Sequence, residues 1–338
     1  MEKKTNVVSY LSMLRKMGRR VQGITERPKS VWWRKQKKEA SSFAVFVSRR
    51  VEILKEQGRY ASAANMQTAL RSLMSFSGCS PLAFSDITPD KMQCYQEWLL
   101  AKGVRLNTIS CYMRSLRSAY SCAVREGLTK NASPFSTAYT KVGETTKRSI
   151  PLKFLQRMQR LSLEHEERLA LARDLFLFSF YMRGMSFVDI AYLRQEQIQN
   201  GYIVYRRHKT GKEIRIRIET ETAGLLCHYR SAMSEYAFPI LTAEDAGSAH
   251  RQYRSKECYY NKLLKIIAER IGLSTPLSFY CARHTWASLA FRHRTDIGII
   301  SEALGHHSLK TTLIYIKSIE SDEAVNEINR KMIGMILK

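Results

Sequence analysis

Gly201 to Ile218 reads GYIVYRRHKTGKEIRIRI. Apolar and polar residues alternate on both sides of Thr210-Gly211, which is the period-two signature of a β-hairpin about a tight turn. The flanking sequence has a different period. Its apolar residues recur at three- and four-residue steps, as they do along one face of a helix. The expected fold is therefore mainly α, with a small β-hairpin or sheet inside the second and larger of two domains.

Towards the N-terminus the helical pattern runs from Ser41 to Asn131. Phe43, Phe46, Val47, Val51 and Leu54 set it, Met66, Leu70, Leu73 and Met74 repeat it, and Tyr95, Trp98 and Leu99 continue it. Thr88-Pro89-Asp90 has the form of a helix start, with proline at the first helical position. Asn107 to Arg125 is a further helix that carries Arg114, Arg117 and Arg125, so the unit is a four-helix domain with a basic face. Gly127 closes the last helix and Asn131 to Pro134 breaks the chain. The expected divisions are a basic extension over 1–40, a helical domain over 41–135, a polar linker over 136–150 and a second, larger domain over 151–320. A C-terminal helix over 321–338 follows. There Val325, Ile328, Met332 and Ile336 form an apolar stripe that either closes the domain's own core or docks on a neighbouring copy.

Charge narrows the function. The 338 residues carry 55 Lys+Arg against 30 Asp+Glu, a net +25, and such self-repulsion is relieved by a polyanion. Residues 1–40 hold twelve Lys/Arg against three Glu. Within them Lys35 and Lys37 sit in WWRKQKK, whose mix of aromatic and cationic groups suits nucleic-acid backbone contacts. A tail whose tryptophans dock on the first domain is the alternative. The seven cysteines are scattered without a CxxC pair, so neither a disulfide framework nor a zinc site is indicated. No stretch reaches the ~18 apolar residues of a membrane span, and no signal peptide is evident. A cytoplasmic protein without metal, cofactor or membrane partner is expected.

Two further stretches bear on chemistry: SFYCARHTWASLA from Ser278 and GHHSLKTTLIYIK from Gly305. They resemble the boxes of the tyrosine recombinase (phage integrase) family, in which H-x-x-R precedes L-G-H and then a nucleophilic tyrosine. Arg283 precedes His306 by 306 − 283 = 23 residues, and Tyr315 follows it by 315 − 306 = 9. The turn at Lys209 to Lys212 resembles the family's catalytic-lysine hairpin, and the helical N-terminal unit its core-binding domain. The resemblance spans nearly all of residues 40–320. It implies that Tyr315 attacks a DNA phosphate to form a 3′-phosphotyrosine, needing neither metal nor ATP. Arg283 would hold the nonbridging oxygens, and His306 would bond one of them or assist tyrosine deprotonation. Lys209 would protonate the leaving 5′-oxygen. It also implies double-stranded DNA as partner, a homotetramer on synapsed sites, strand exchange through a Holliday junction, and room for an accessory DNA-bending protein. The short N-terminal extension points towards an invertase or simple resolvase-like role.

Two positions depart from the family pattern. Phe180 to Leu193 reads FYMRGMSFVDIAYL, which puts Ser186 where the first catalytic arginine usually stands. Arg183 would supply the missing guanidinium, or else Arg206 or Arg207 would. Ser186 and Asp189 also make an S-x-x-D capping box. Tyr280 stands where histidine is usual, and it either positions Arg283 or a phosphate oxygen or packs beside Phe279. These departures leave open a DNA-binding regulator on a degenerate scaffold. A type IB topoisomerase-like enzyme is the other alternative.

Overall fold

The computed structural model describes residues 42–78, 82–141, 143, 149–243 and 245–316, with single positions 330, 332 and 335. The basic extension with Lys35 and Lys37 lies outside the described residues, and so, apart from those three positions, does the expected C-terminal helix. The backbone falls into two compact units divided between Gly143 and Glu144.

Among the described residues the first unit has four α-helices. Helix α1 (Phe43–Glu56) starts at Ser42, whose hydroxyl accepts the Val45 N–H at 3.3 Å. It buries Phe43, Phe46, Val47, Val51 and Leu54, the residues of its predicted stripe. Helix α2 (Tyr60–Phe76) adds Met66, Leu70 and Leu73. Helix α3 (Pro89–Ala101) begins as expected, with Pro89 in its first turn and the Thr88 hydroxyl accepting the Lys91 N–H at 3.2 Å. Helix α4 (Leu106–Arg125) buries Ile109, Met113, Leu116 and Tyr120 and leaves Arg114, Arg117 and Arg125 exposed. The polar stretch after Asn131 belongs largely to this unit. Phe135 and Ala138 are buried in its core. The Tyr139 N–H donates to Gln96 Oε1 and the Gly143 N–H to Asn107 Oδ1, each at 2.7 Å. Ile150 is already core of the second unit and donates its N–H to Thr285 Oγ1 at 3.0 Å. The span read as a linker over 136–150 is thus anchored at both ends. Two apolar residues, Ala138 and Ile150, and three amide hydrogen bonds do this, none of which sets up a period.

In the second unit α5 (Leu152–Gln159) leads to α6 (Glu167–Tyr181), which buries Leu169, Ala172, Leu175, Phe176 and Phe178 on every side. This central helix packs against α9 (Ala246–Arg270) and α10 (Phe279–Arg292). Between α7 (Phe187–Ala191) and α8 (Thr220–Tyr229) lies an antiparallel sheet in the order β1 (Ile198–Gln199), β2 (Tyr202–Arg206), β3 (Glu213–Arg217). Ile203 faces Ile216 and Tyr205 faces Ile214, all four buried, whereas the pairs Val204 with Arg215 and Arg206 with Glu213 are exposed. The alternation in the sequence is this two-faced ribbon. Strand β1 was not expected, since two residues are too few to alternate. Helices α11 (Ile297–Ala303) and α12 (Leu309–Ile316) complete the described chain. Among the described residues no helix is long and apolar enough to cross a membrane, and no group of three His, Cys, Asp or Glu could hold a metal.

Candidate active site

Helix α11 ends at Leu304-Gly305-His306 in a Schellman turn. The His306 N–H donates to Ser301 O at 2.9 Å and the Gly305 N–H to Glu302 O at 2.9 Å. Gly305 takes φ +64, and a Cβ on it would lie 2.6 Å from Ile214 Cδ1. Only glycine fits there, which is the physical content of the L-G-H box. The turn leaves the carbonyls of Leu304 and Gly305 free at the negative end of the helix. Each receives an arginine. Arg283 Nη2 donates to Leu304 O, and Arg207 Nη1 donates to Gly305 O at 2.9 Å.

Both guanidiniums are buried, Arg283 at 3% and Arg207 at 8% exposure. Arg283 also donates through Nη1 to Gly184 O at 2.8 Å, and its Nη2 lies 3.1 Å from His306 Nε2. Gly184 closes tightly over it. A Cβ there would sit 2.7 Å from Arg283 Cα, and φ is +70. On its other side the His306 ring meets Thr312 of α12, with Nδ1 and Oγ1 2.9 Å apart. Burial, and then the charges of Arg283, Arg207, Lys209 and Lys212, push His306 down to about 3. The imidazole is therefore neutral at physiological pH, with four cations acting on it.

The lysine turn is tied down from three sides. The Gly211 N–H donates to Arg207 O at 2.7 Å and closes the hairpin. His307 Nε2 lies 3.3 Å from Thr210 O. The His208 N–H donates to Asp189 Oδ1 at 2.7 Å, while the His208 ring stacks on Tyr192 with centroids 4.7 Å apart. Asp189 is buried, and its second oxygen accepts the Ser186 hydroxyl at 2.5 Å. The expected capping box does not form, because the Ser186 side chain caps no backbone N–H of α7. It donates to a carboxylate already engaged by the hairpin.

The structure thus brings Arg283, His306 and Lys209 together around the end of α11. Tyr315 falls in α12, one turn beyond Thr312; nothing of its side chain lies within the described residues. Arg183 is half-buried in the left-handed region, φ 55. It occupies the position after the C-cap of α6 where glycine is usual, and the Gly184 N–H reaches Ser179 O at 2.8 Å. Burial, and then Asp189, push the Tyr205 phenol up; Arg283, Arg207 and Arg183 oppose this. Arg183 is thus one of three arginines whose charge is felt at Tyr205. Arg206 points away, pairing with Glu213 at 3.7 Å with both side chains exposed. Tyr280 does not pack into the core beside Phe279. It is 55% exposed, and its ring meets His284 edge-on, 4.4 Å between centroids. Arg114 and Arg117 are exposed on α4, and the Arg114 Nε donates to Ser110 O at 3.2 Å.

Arg207 was only an alternative in the sequence, and Thr312, His307 and the bridging role of Asp189 carried no signal there. Arg207 follows the last strand residue of β2, so strand alternation already separates it from Arg206. That it points at Gly305 depends on residues 98 positions apart.

Two family models match the chain: the phage integrase SAM-like domain over residues 42–140 and the phage integrase family over residues 153–321. Among similar proteins, the tyrosine recombinase XerD of Rhizobium meliloti is 23% identical over 292 residues, which is 82% of this chain and 92% of the relative. The tyrosine recombinase XerA of Pyrococcus furiosus is 24% identical, covering 83% and 95%. Among solved structures, a lambda integrase tetramer bound to a Holliday junction has a similar fold, with a TM-score of 0.60 at 15% identity, covering 95% of this chain and 89% of that one. The XerH recombinase in a post-cleavage complex with its palindromic difH substrate gives 0.59 at 15%, covering 87% and 96%.

Proposed function

Because the chain belongs to the phage integrase family of tyrosine recombinases, we propose that it cuts and rejoins duplex DNA at specific sites through a 3′-phosphotyrosine. The observation that carries this reading is the pair of buried arginines at the end of α11. Arg283 and Arg207 are each fixed by one N–H on a helix-terminal carbonyl, and His306 lies against Arg283. Burying two guanidiniums is costly unless an anion enters among them. A scissile phosphate is such an anion, and the pentacoordinate transition state gathers more negative charge on its oxygens than the ground state.

In this reading Tyr315 attacks phosphorus and Arg283 holds the nonbridging oxygens. Arg207 supplies the second guanidinium in place of the arginine absent at Ser186. Lys209, on a turn anchored through Asp189, gives its proton to the departing 5′-oxygen. Arg183 stays beside Tyr205 as a contributor to the same field, and Tyr280 faces the incoming duplex from α10. The exposed Arg114 and Arg117 of α4 grip backbone phosphates, and Lys35 and Lys37 extend that grip. The phosphotyrosine conserves the bond energy, so religation to a partner strand needs no ATP. Exchange of two strands on two duplexes uses four active sites, hence a homotetramer on synapsed DNA, with integration, excision or inversion as outcome and a DNA-bending protein as accessory. The protein works in the cytoplasm, where such DNA lies. An inactive DNA-binding regulator would gain nothing from desolvated arginines around a neutral histidine.

The test is covalent trapping. Wild type and Tyr315→Phe are incubated with nicked suicide duplexes from the flanking DNA and separated on denaturing gels. An adduct in wild type that Tyr315→Phe abolishes is the expected result. Tight binding by both without an adduct would sink the reading.

A further inference from the structure

The two ring nitrogens of His306 are in different hands, and this locates its proton. An arginine can only donate, so Nε2, 3.1 Å from Arg283 Nη2, must be an acceptor. A neutral imidazole carries one N–H, which is therefore on Nδ1, 2.9 Å from the hydroxyl oxygen of Thr312. Thr312 is fully buried, so no water replaces it as acceptor. It stands three residues before Tyr315 on the same helix.

We infer that Thr312 is a positioning residue that holds His306 in the Nδ1–H tautomer, leaving the Nε2 lone pair as the base that takes the phenol proton of Tyr315. The inference rests on the recombinase reading above for its chemistry, but not for the tautomer. In the free protein Arg283 occupies Nε2. A phosphate that engages Arg283 draws that N–H away and uncovers the lone pair. The same phosphate offsets the charges of Arg283, Arg207, Lys209 and Lys212, whose field together with burial keeps the ring a weak base. The base is thus exposed and strengthened by the substrate it serves. The step balances: the phenol proton passes to Nε2, the phenolate oxygen bonds phosphorus, the bond to the 5′-oxygen breaks, and Lys209 protonates that oxygen. Because Thr312 and Tyr315 share α12, a shift of the nucleophile's helix also shifts the tautomer's anchor.

The experiment is long-range proton–nitrogen correlation on the full chain labelled with nitrogen-15 histidine at neutral pH, with the His306 signal assigned by its loss in His306→Asn. Wild type is expected to show the Nδ1–H pattern. Thr312→Val should move the signal towards Nε2–H or an average of the two, and slow adduct formation roughly ten- to a hundredfold, the scale of one buried hydrogen bond lost. Thr312→Ser, which keeps the hydroxyl, should restore both. An Nε2–H pattern in wild type overturns the inference whatever the fate of the valine variant, and so does a valine variant with unchanged tautomer and rate. If wild type shows the Nδ1–H pattern but forms no adduct on any suicide duplex, the recombinase reading falls and the base role assigned to Nε2 falls with it.

Discussion

Arg183 and Arg207 are the two residues on which the departure at Ser186 turns, and their backbones separate them. Arg183 sits at φ 55, a conformation that costs a residue with a Cβ about 1 kcal/mol. Arg183→Gly should therefore stabilise the fold by roughly 0.5–1 kcal/mol, read as a rise in Tm, while changing adduct formation by less than tenfold. A larger loss of cleavage would give Arg183 the role proposed for Arg207. Arg207→Lys should keep the charge but lose the bond to Gly305 O and the planar fork. Adduct formation is then expected to fall at least a hundredfold, with DNA binding changed only a few-fold. His306 bears on stability through pH. Its folded pKa of about 3 lies below the ordinary 6.5, so between those values the unfolded chain holds the extra proton. His306 thus contributes stability that is complete above about 6.5 and is lost as pH falls towards 3. In urea melts, the difference in stability between wild type and His306→Asn should shrink across that window.

At the scale of elements, the β2–β3 hairpin is coupled to α7 by one carboxylate and one ring stack. Asp189 takes the His208 N–H, and Tyr192 supports the His208 ring. In the proposed reaction their neighbour Lys209 has only to be in place when the 5′-oxygen leaves. Asp189→Asn and Tyr192→Ala should therefore slow cleavage of an ordinary phosphodiester. A duplex with sulfur in place of the bridging 5′-oxygen should restore the rate, since a thiolate departs without a proton. Arg283→Ala should not be rescued in that way. If the sulfur substrate leaves the Asp189 and Tyr192 variants as slow as before, the hairpin anchor does not act through Lys209. The period of this hairpin was legible in the sequence because two buried positions alternate with two exposed ones. Its anchor was not, because Asp189 and His208 are 19 residues apart and neither belongs to a periodic face.

The whole molecule carries +25, and each phosphate neutralised by Lys or Arg releases counterions. The affinity for duplex DNA should fall steeply with salt, by roughly 0.9 log units per log unit of salt for each contact. Removing Arg114 and Arg117 together should lower the slope by about two contacts and leave the tautomer of His306 untouched. An unchanged slope would move the DNA-binding face off α4. The family was readable at this scale from four boxes in order, and the domain pair from the polar break after Asn131. Within the polar stretch over 136–150, the burial of Ala138 and Ile150 left no period to read.

The sequence by itself determined the mainly helical class, the ribbon, the helix start at Thr88, and the order Lys209, Arg283, His306, Tyr315. These follow from local periods, caps and spacings, which act over a few residues. Tertiary structure alone decided which arginine reaches the carbonyl next to the one Arg283 holds, what each ring nitrogen of the histidine meets, and what holds the lysine turn. Those depend on Gly184 and Gly305 admitting a close approach, and on two carbonyls left open at the end of one short helix. Groups brought together from 21 to 99 residues apart leave no trace in a local pattern.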